Sequence, residues 1–240
     1  PDDLQKKFLP QVLALSEEYS INQLMPLMAK GNSATESEKI EAAKTMSRFS
    51  GISEKAIISY NLDVPTTFFW KELLREEGFT IGRLDSRYKG IDKIAGGDRP
   101  DYWAELTSWN HSFAPAINYY FKNVLKFETD VKYNLFGPVY PWDWKNNNSG
   151  ESLRKAMAAN PYLHTMIQSG YYDGATRYFD AKYTMWQLDP SGKMKDRLSF
   201  EGYRSGHMMY LREVDLIKSN SDIRKFIKKT IPSSTKPAKY

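Results

Sequence analysis

The sequence predicts an α/β protein with a large helical first part and few parallel strands, and three observations predict it. Roughly the first 130 of its 240 residues carry apolar positions at helical spacing, interrupted by helix stops and caps. After that, short apolar runs alternate with helical segments. Strand, helix, strand, helix is the order of a parallel pair joined by a right-handed crossover. Finally, 41% hydrophobic and 26% charged residues is an ordinary globular balance, so a packed core is expected.

The helical part is read from its punctuation. Leu4, Phe8, Leu9, Val12, Leu13 and Leu15, then Ile21, Leu24, Met25, Leu27 and Met28, lie at helical spacing. Gly31 is the stop. Ser33 to Glu38 offers N-cap residues and early acidic residues for a helix through Met46 and Phe49, which Gly51 ends. Short helices are expected over Ser53–Tyr60 and Phe68–Glu77, the second closed by Gly78. A polar loop should fill Tyr88–Pro100, and another helix about Phe113–Leu125.

Asn146-Asn147-Asn148-Ser149-Gly150 reads as a loop, with Ser149 or Gly150 capping a helix to about Asn160. The run Tyr162 to Ile167 is the first predicted strand and Leu198–Tyr203 the second. Helices are expected over Thr176–Leu188 and Val214–Lys229. In open α/β sheets, chemistry collects where strands end. The loop after the first strand holds Asp173 and the loop after the second holds His207, each beside glycine. A carboxylate orients an imidazole and stabilises its cation while the imidazole moves a proton. By pattern alone, Asp173 also fits a plain helix N-cap and His207 a core histidine.

Composition narrows the field. The net charge is +5 and the pI about 9.1, but Lys and Arg are scattered and mostly neighbour acids, as in Lys71-Glu72. That is a solvated mixed-charge surface, so no nucleic-acid partner is expected. The one basic cluster, Arg224 to Lys229, reads as the outer face of a last helix. Zero cysteines exclude disulfides, thiol catalysis and thiolate metal sites, and fit a cytoplasmic or a periplasmic address. No apolar run reaches the roughly 18 residues of a membrane span. His111, His164 and His207 are too dispersed for a metal site, with His164 placed inside the first strand. No Walker-type loop or dinucleotide fingerprint occurs, so no cofactor is expected. The six tryptophans read as packing, with Trp109 or Tyr119 as candidates to line an apolar cleft.

The string Ser169-Gly170-Tyr171-Tyr172-Asp173-Gly174-Ala175-Thr176, followed by Gly206-His207-Met208-Met209-Tyr210-Leu211, resembles bacterial members of the serine carboxypeptidase family. Gly78-Phe79-Thr80-Ile81-Gly82-Arg83-Leu84-Asp85-Ser86-Arg87 looks like a segment of that family's helical insertion. Pro141-Trp142-Asp143-Trp144 looks like the stretch leading to the Asp-bearing strand. The resemblance covers most of the chain. It implies the C-terminal part of an α/β-hydrolase fold: residues 1–145 a mainly helical cap or lid insertion, residues 146–240 the part of the core with the triad's acid and base. By it, Asp173 is the orienting acid and His207 the general base of a peptidase acting on a C-terminal peptide bond. A periplasmic or secreted location is then slightly favoured.

The departure from the family is equally definite. Its nucleophile sits in a Gly-Glu-Ser-Tyr-Gly elbow, and no Ser here has Gly at both −2 and +2. Gly150-Glu151-Ser152 follows an Asn run rather than an apolar strand, so Ser152 is expected in the first turn of a helix. The family's Gly-rich oxyanion loop is missing as well. The expectation is therefore a peptide substrate, with the nucleophile serine on another segment or a second chain. The competing expectation is a non-catalytic binding module or pseudoenzyme derived from an α/β-hydrolase.

Overall fold

The structure is a computed structural model that describes residues 4, 6–143, 145 and 147–231. Trp144 and Asn146 of the sequence motifs lie outside the described residues. Helix and sheet are mixed, as the α/β expectation requires in its coarse form. The chain forms two compact units. The described residues up to Ile81 together with Gly90–Tyr102 make the first, and Gly82–Lys89 with the described residues from Trp103 onward make the second. The helix predicted near residue 113 thus groups with the strands and not with the earlier helices.

In the first unit, α1 (Leu9–Tyr19) runs through a π turn, Ser20–Leu24, into α2 (Met25–Ala29). Helix α3 (Glu36–Ser50) starts as its sequence says. The Thr35 hydroxyl accepts from Glu38 N at 3.2 Å, and the Glu38 carboxylate accepts from Thr35 N at 2.8 Å. It stops at Gly51, whose φ of 81° is cheap for a residue without Cβ. Ser53 caps α4 (Glu54–Ser59), and α5 (Thr66–Glu72) with a 3₁₀ turn over Arg75–Glu77 completes the set before Gly78. Ala42, Ala43, Ile52, Ile57 and Leu62 form the buried centre, with Leu27, Met46 and Phe69 packed on it. Lys71 is buried with Asp92 and also donates to Ile94 O at 2.6 Å, which fixes the 90–102 loop on α5. Each charge is left with a partner, as a buried ion requires.

Two-residue strands, β1 (Thr80–Ile81) and β2 (Lys89–Gly90), stand where the chain leaves and re-enters this unit. In the second unit, α6 (Ala104–Tyr119) starts well before the predicted Phe113, and a π turn carries it to Val124. Its N-cap, Trp103, makes no side-chain cap bond, so the start has no local signal, and Pro115 inside it resembles a first-turn residue. Helix α7 (Ser149–Ala159) has Asn148 at its cap position, not Ser149 or Gly150.

Strand β3 is Thr165–Gly170, three residues later than predicted, so His164 precedes the strand instead of lying in it. Helix α8 (Tyr178–Leu188) follows. Strand β4 (Leu198–Tyr203) and helix α9 (Glu213–Thr230) lie where expected. The two strands pair in parallel, from Thr165↔Leu198 to Gly170↔Tyr203. The frame of β3 is set by this ladder and not by the apolar run ahead of it. The basic residues Arg224 to Lys229 are exposed on α9, as expected.

Helix α9 buries polar residues against the ends of the strands. Gln168 donates to the Tyr203 hydroxyl at 2.7 Å and to Ser219 Oγ at 3.0 Å, and the Tyr203 hydroxyl donates to Asp222 at 3.2 Å. Burial pushes the Asp222 carboxyl up, but Lys218 at 2.6 Å and the tyrosine hydroxyl outweigh it and hold its pKa below the ordinary value. A lowered native pKa adds stability that is present above the unfolded-state value of about 4 and is lost as pH falls through the native one. Asp222→Asn is therefore expected to flatten the acid side of the melting profile. Parallel melting curves of wild type and variant below about pH 4 check this, and equal slopes would contradict it.

Candidate functional site

The acid and base meet because the strands that precede them are neighbours in register. Beyond β3 and β4 the ladder continues: Tyr171 N donates to Tyr203 O at 2.9 Å and Tyr172 N to Ser205 O at 3.0 Å. Both loops thus leave the same edge of the sheet side by side. His207 Nδ1 lies 2.7 Å from Asp173 Oδ2. The Asp173 side chain is 5% exposed and the His207 side chain 46% exposed. The acid is desolvated and the base faces outward.

This arrangement replaces both plain readings. The helix after the acid starts at Tyr178 with Arg177 at the cap position, so Asp173 does not cap it. Its Oδ1 instead accepts from Ala175 N at 2.8 Å and Thr176 N at 3.0 Å, a turn closed by a carboxylate. His207 is too exposed to be a core histidine.

Thr176 is the residue that sequence reasoning missed. Its hydroxyl donates to Asp173 Oδ2 at 2.9 Å, and its oxygen lies 3.0 Å from His207 Nδ1. Nδ1 therefore faces two acceptors and carries the ring's proton, which leaves Nε2 as the basic nitrogen. Among the described residues, no hydrogen bond to Nε2 is present. The signal was available, since an Asp followed three residues later by Thr is a spacing at which the turn can close on itself. Thr176→Val is expected to cost about 0.5–1.5 kcal/mol, the net worth of a partly exposed hydroxyl bond, with Thr176→Ser close to wild type. Urea unfolding of the two variants checks this.

The 82–89 segment, read from sequence as part of the helical insertion, underlies both loops. Gly174 N donates to Arg83 O at 2.9 Å, His207 N to Leu84 O at 2.7 Å, and Ser86 N to Tyr172 O at 2.9 Å. Arg87 is paired with Asp85 and donates to Arg204 O at 2.9 Å. On its other side the segment is tied to α6. Leu84 N donates to Glu105 Oε1 at 2.8 Å, Arg83 stacks on Trp103, and Trp109 Nε1 donates to the Tyr88 hydroxyl at 3.3 Å.

The other sequence candidates fall elsewhere. Ser152 lies in the first turn of α7, as expected of a decoy elbow, and its N–H bonds Asn148 O. Trp109 is buried among Tyr88 and Phe113 and so lines no open cleft, whereas Tyr119 is exposed. His164 is half-buried, and burial, followed by Arg197 and Lys229, lowers its pKa. His111 is exposed on α6. Among the described residues, no cluster of His, Asp or Glu could hold a metal ion, and no helix is long and apolar enough to cross a membrane. No protein-family model, curated protein or solved structure matches the chain.

Proposed function

We propose that this chain supplies the acid and base of a Ser-His-Asp hydrolytic site in the C-terminal part of an α/β-hydrolase fold, acting on C-terminal peptide bonds as a serine carboxypeptidase would. The observation that carries this is the 2.7 Å contact of His207 Nδ1 with a desolvated Asp173, with no hydrogen bond to Nε2 among the described residues. Chain order, acid before base, agrees with that fold's triad. The peptide preference rests on the motif resemblance around Asp173 and His207.

In this reading His207 Nε2 takes the proton of a serine hydroxyl as the serine oxygen adds to the scissile carbonyl. The imidazolium then gives that proton to the departing amine. Asp173 keeps Nδ1–H pointed inward and stabilises the cation. Water repeats the sequence on the acyl-serine and releases the acid. The serine and the oxyanion donors belong to another segment or a second chain.

A serine-reactive phosphonate applied to the purified material, followed by intact mass analysis, tests the proposal. Label on a serine of a co-purifying segment or chain is the expected result. No label on any species would overturn it and leave the non-catalytic binding module.

A further inference from the structure

We propose that Glu105 is a positioning residue for the Asp173–His207 pair, holding the backbone of residues 83–85 from which both loops hang. The inference deepens the acid–base reading above and rests on it, but its test reads the pair itself and not turnover.

Glu105 is fully buried, and its Oε2 is the one buried side-chain oxygen or nitrogen among the described residues without a hydrogen-bond partner. An orphaned buried polar atom costs about 1–3 kcal/mol, a cost that the bonds of the other oxygen must offset. Burial pushes the carboxyl's pKa up. The N–H groups of Leu84, Glu105 and Arg83 pull against that, and the charge of Asp85 adds to the rise.

What the carboxyl does is wedge. It stands in the first turn of α6, where the helix N-terminus favours an acceptor. Oε1 takes the Leu84 N–H at 2.8 Å. The 82–85 backbone is pressed close on its other oxygen: a Cβ on Gly82 would stand 2.4 Å from Oε2 and 2.4 Å from Asp85 O. Neither oxygen can shift without the backbone shifting.

That backbone carries the site. Leu84 O receives the His207 N–H at 2.7 Å and Arg83 O receives the Gly174 N–H at 2.9 Å, one residue beyond the acid. Asp85 packs so tightly on Gly206 that a Cβ there would lie 2.5 Å from Asp85 Cβ. The path from Glu105 to the imidazole is one side-chain bond and one backbone bond. Because a charge-assisted bond weakens over a few tenths of an ångström, a small settling of residues 83–85 would loosen the pair.

The experiment is solution NMR of the chain with ¹⁵N-labelled histidine, comparing wild type, Glu105→Ala, Glu105→Gln and Gly82→Ala. It reads the Nδ1–H proton of His207, far downfield when bonded to carboxylate, with thermal melting in parallel. Wild type and Glu105→Gln should show the downfield proton, because the amide oxygen still accepts from Leu84. Glu105→Ala should lose it while melting cooperatively. Gly82→Ala displaces the carboxyl from the opposite side and should give the same loss, so it carries the test if Glu105→Ala does not fold. A folded Glu105→Ala or Gly82→Ala variant that keeps the downfield proton would overturn the proposal, as would loss in Glu105→Gln equal to that in Glu105→Ala. A wild-type chain without the downfield proton would instead count against the acid–base pair itself.

Discussion

If the proposed hydrolytic function holds, His207→Ala is expected to lower kcat for hydrolysis of a C-terminal peptide bond by about 10⁴–10⁶-fold in material that contains the proposed serine-bearing segment, with KM little changed. Among the described residues the ring's Nε2 has no hydrogen bond, so on the proposed reading its removal deletes a chemical role and not a packing one. The side chain is 46% exposed, and no core cavity opens when it is truncated. Thermal melting of the variant should therefore stay near that of wild type while activity disappears. Asp173→Asn should cost about 10⁴-fold, because an amide facing Nδ1 favours the wrong tautomer. It should also destabilise the chain, since the carboxylate closes a turn on Ala175 and Thr176 as well as holding the ring. Steady-state kinetics on a short peptide, beside melting curves, separates the two effects. Unchanged turnover in His207→Ala would sink the acid–base assignment.

Gly170→Ala should destabilise the second unit by about 3 kcal/mol or more, the upper end for overpacking. The position ends β3, and a Cβ there would stand 2.1 Å from Gly206 O and 2.4 Å from Ser205 O. Both obstacles are backbone, and the backbone in question leads directly into His207. It cannot yield as a flexible side chain would, so the strand ends must separate. The bond from Tyr172 N to Ser205 O and the contact of His207 with Asp173 would be stretched together. A lower melting temperature together with loss of the downfield His207 proton is the expected outcome. A variant that melts like wild type would show that the close approach of the two loops is not required.

Where the sequence was informative, the information was local. Thr35, Glu38, Gly51 and Gly78 announce helix ends because a cap is made by residues within a turn of the end it serves. The bounds of β4 and the placement of Asp173 and His207 after their strands follow from the same kind of signal, short apolar runs closed by glycine. The start of α6 was missed for the complementary reason, since Trp103 makes no side-chain cap bond that could mark it.

The chain order of Asp173 and His207 after their strands and their glycine neighbours were thus legible in the sequence alone, as were most of the helices. The tertiary structure decided the frame of β3, the placement of Thr176 between the two partners, and the burial of Glu105 beneath them. The physical reason is separation along the chain. Glu105 acts on His207 through Leu84, and no residue near any of the three in sequence marks the connection. A glutamate is ordinarily a solvated surface residue. Burial of this one became visible once Leu84, Gly82 and the first turn of α6 had closed around it.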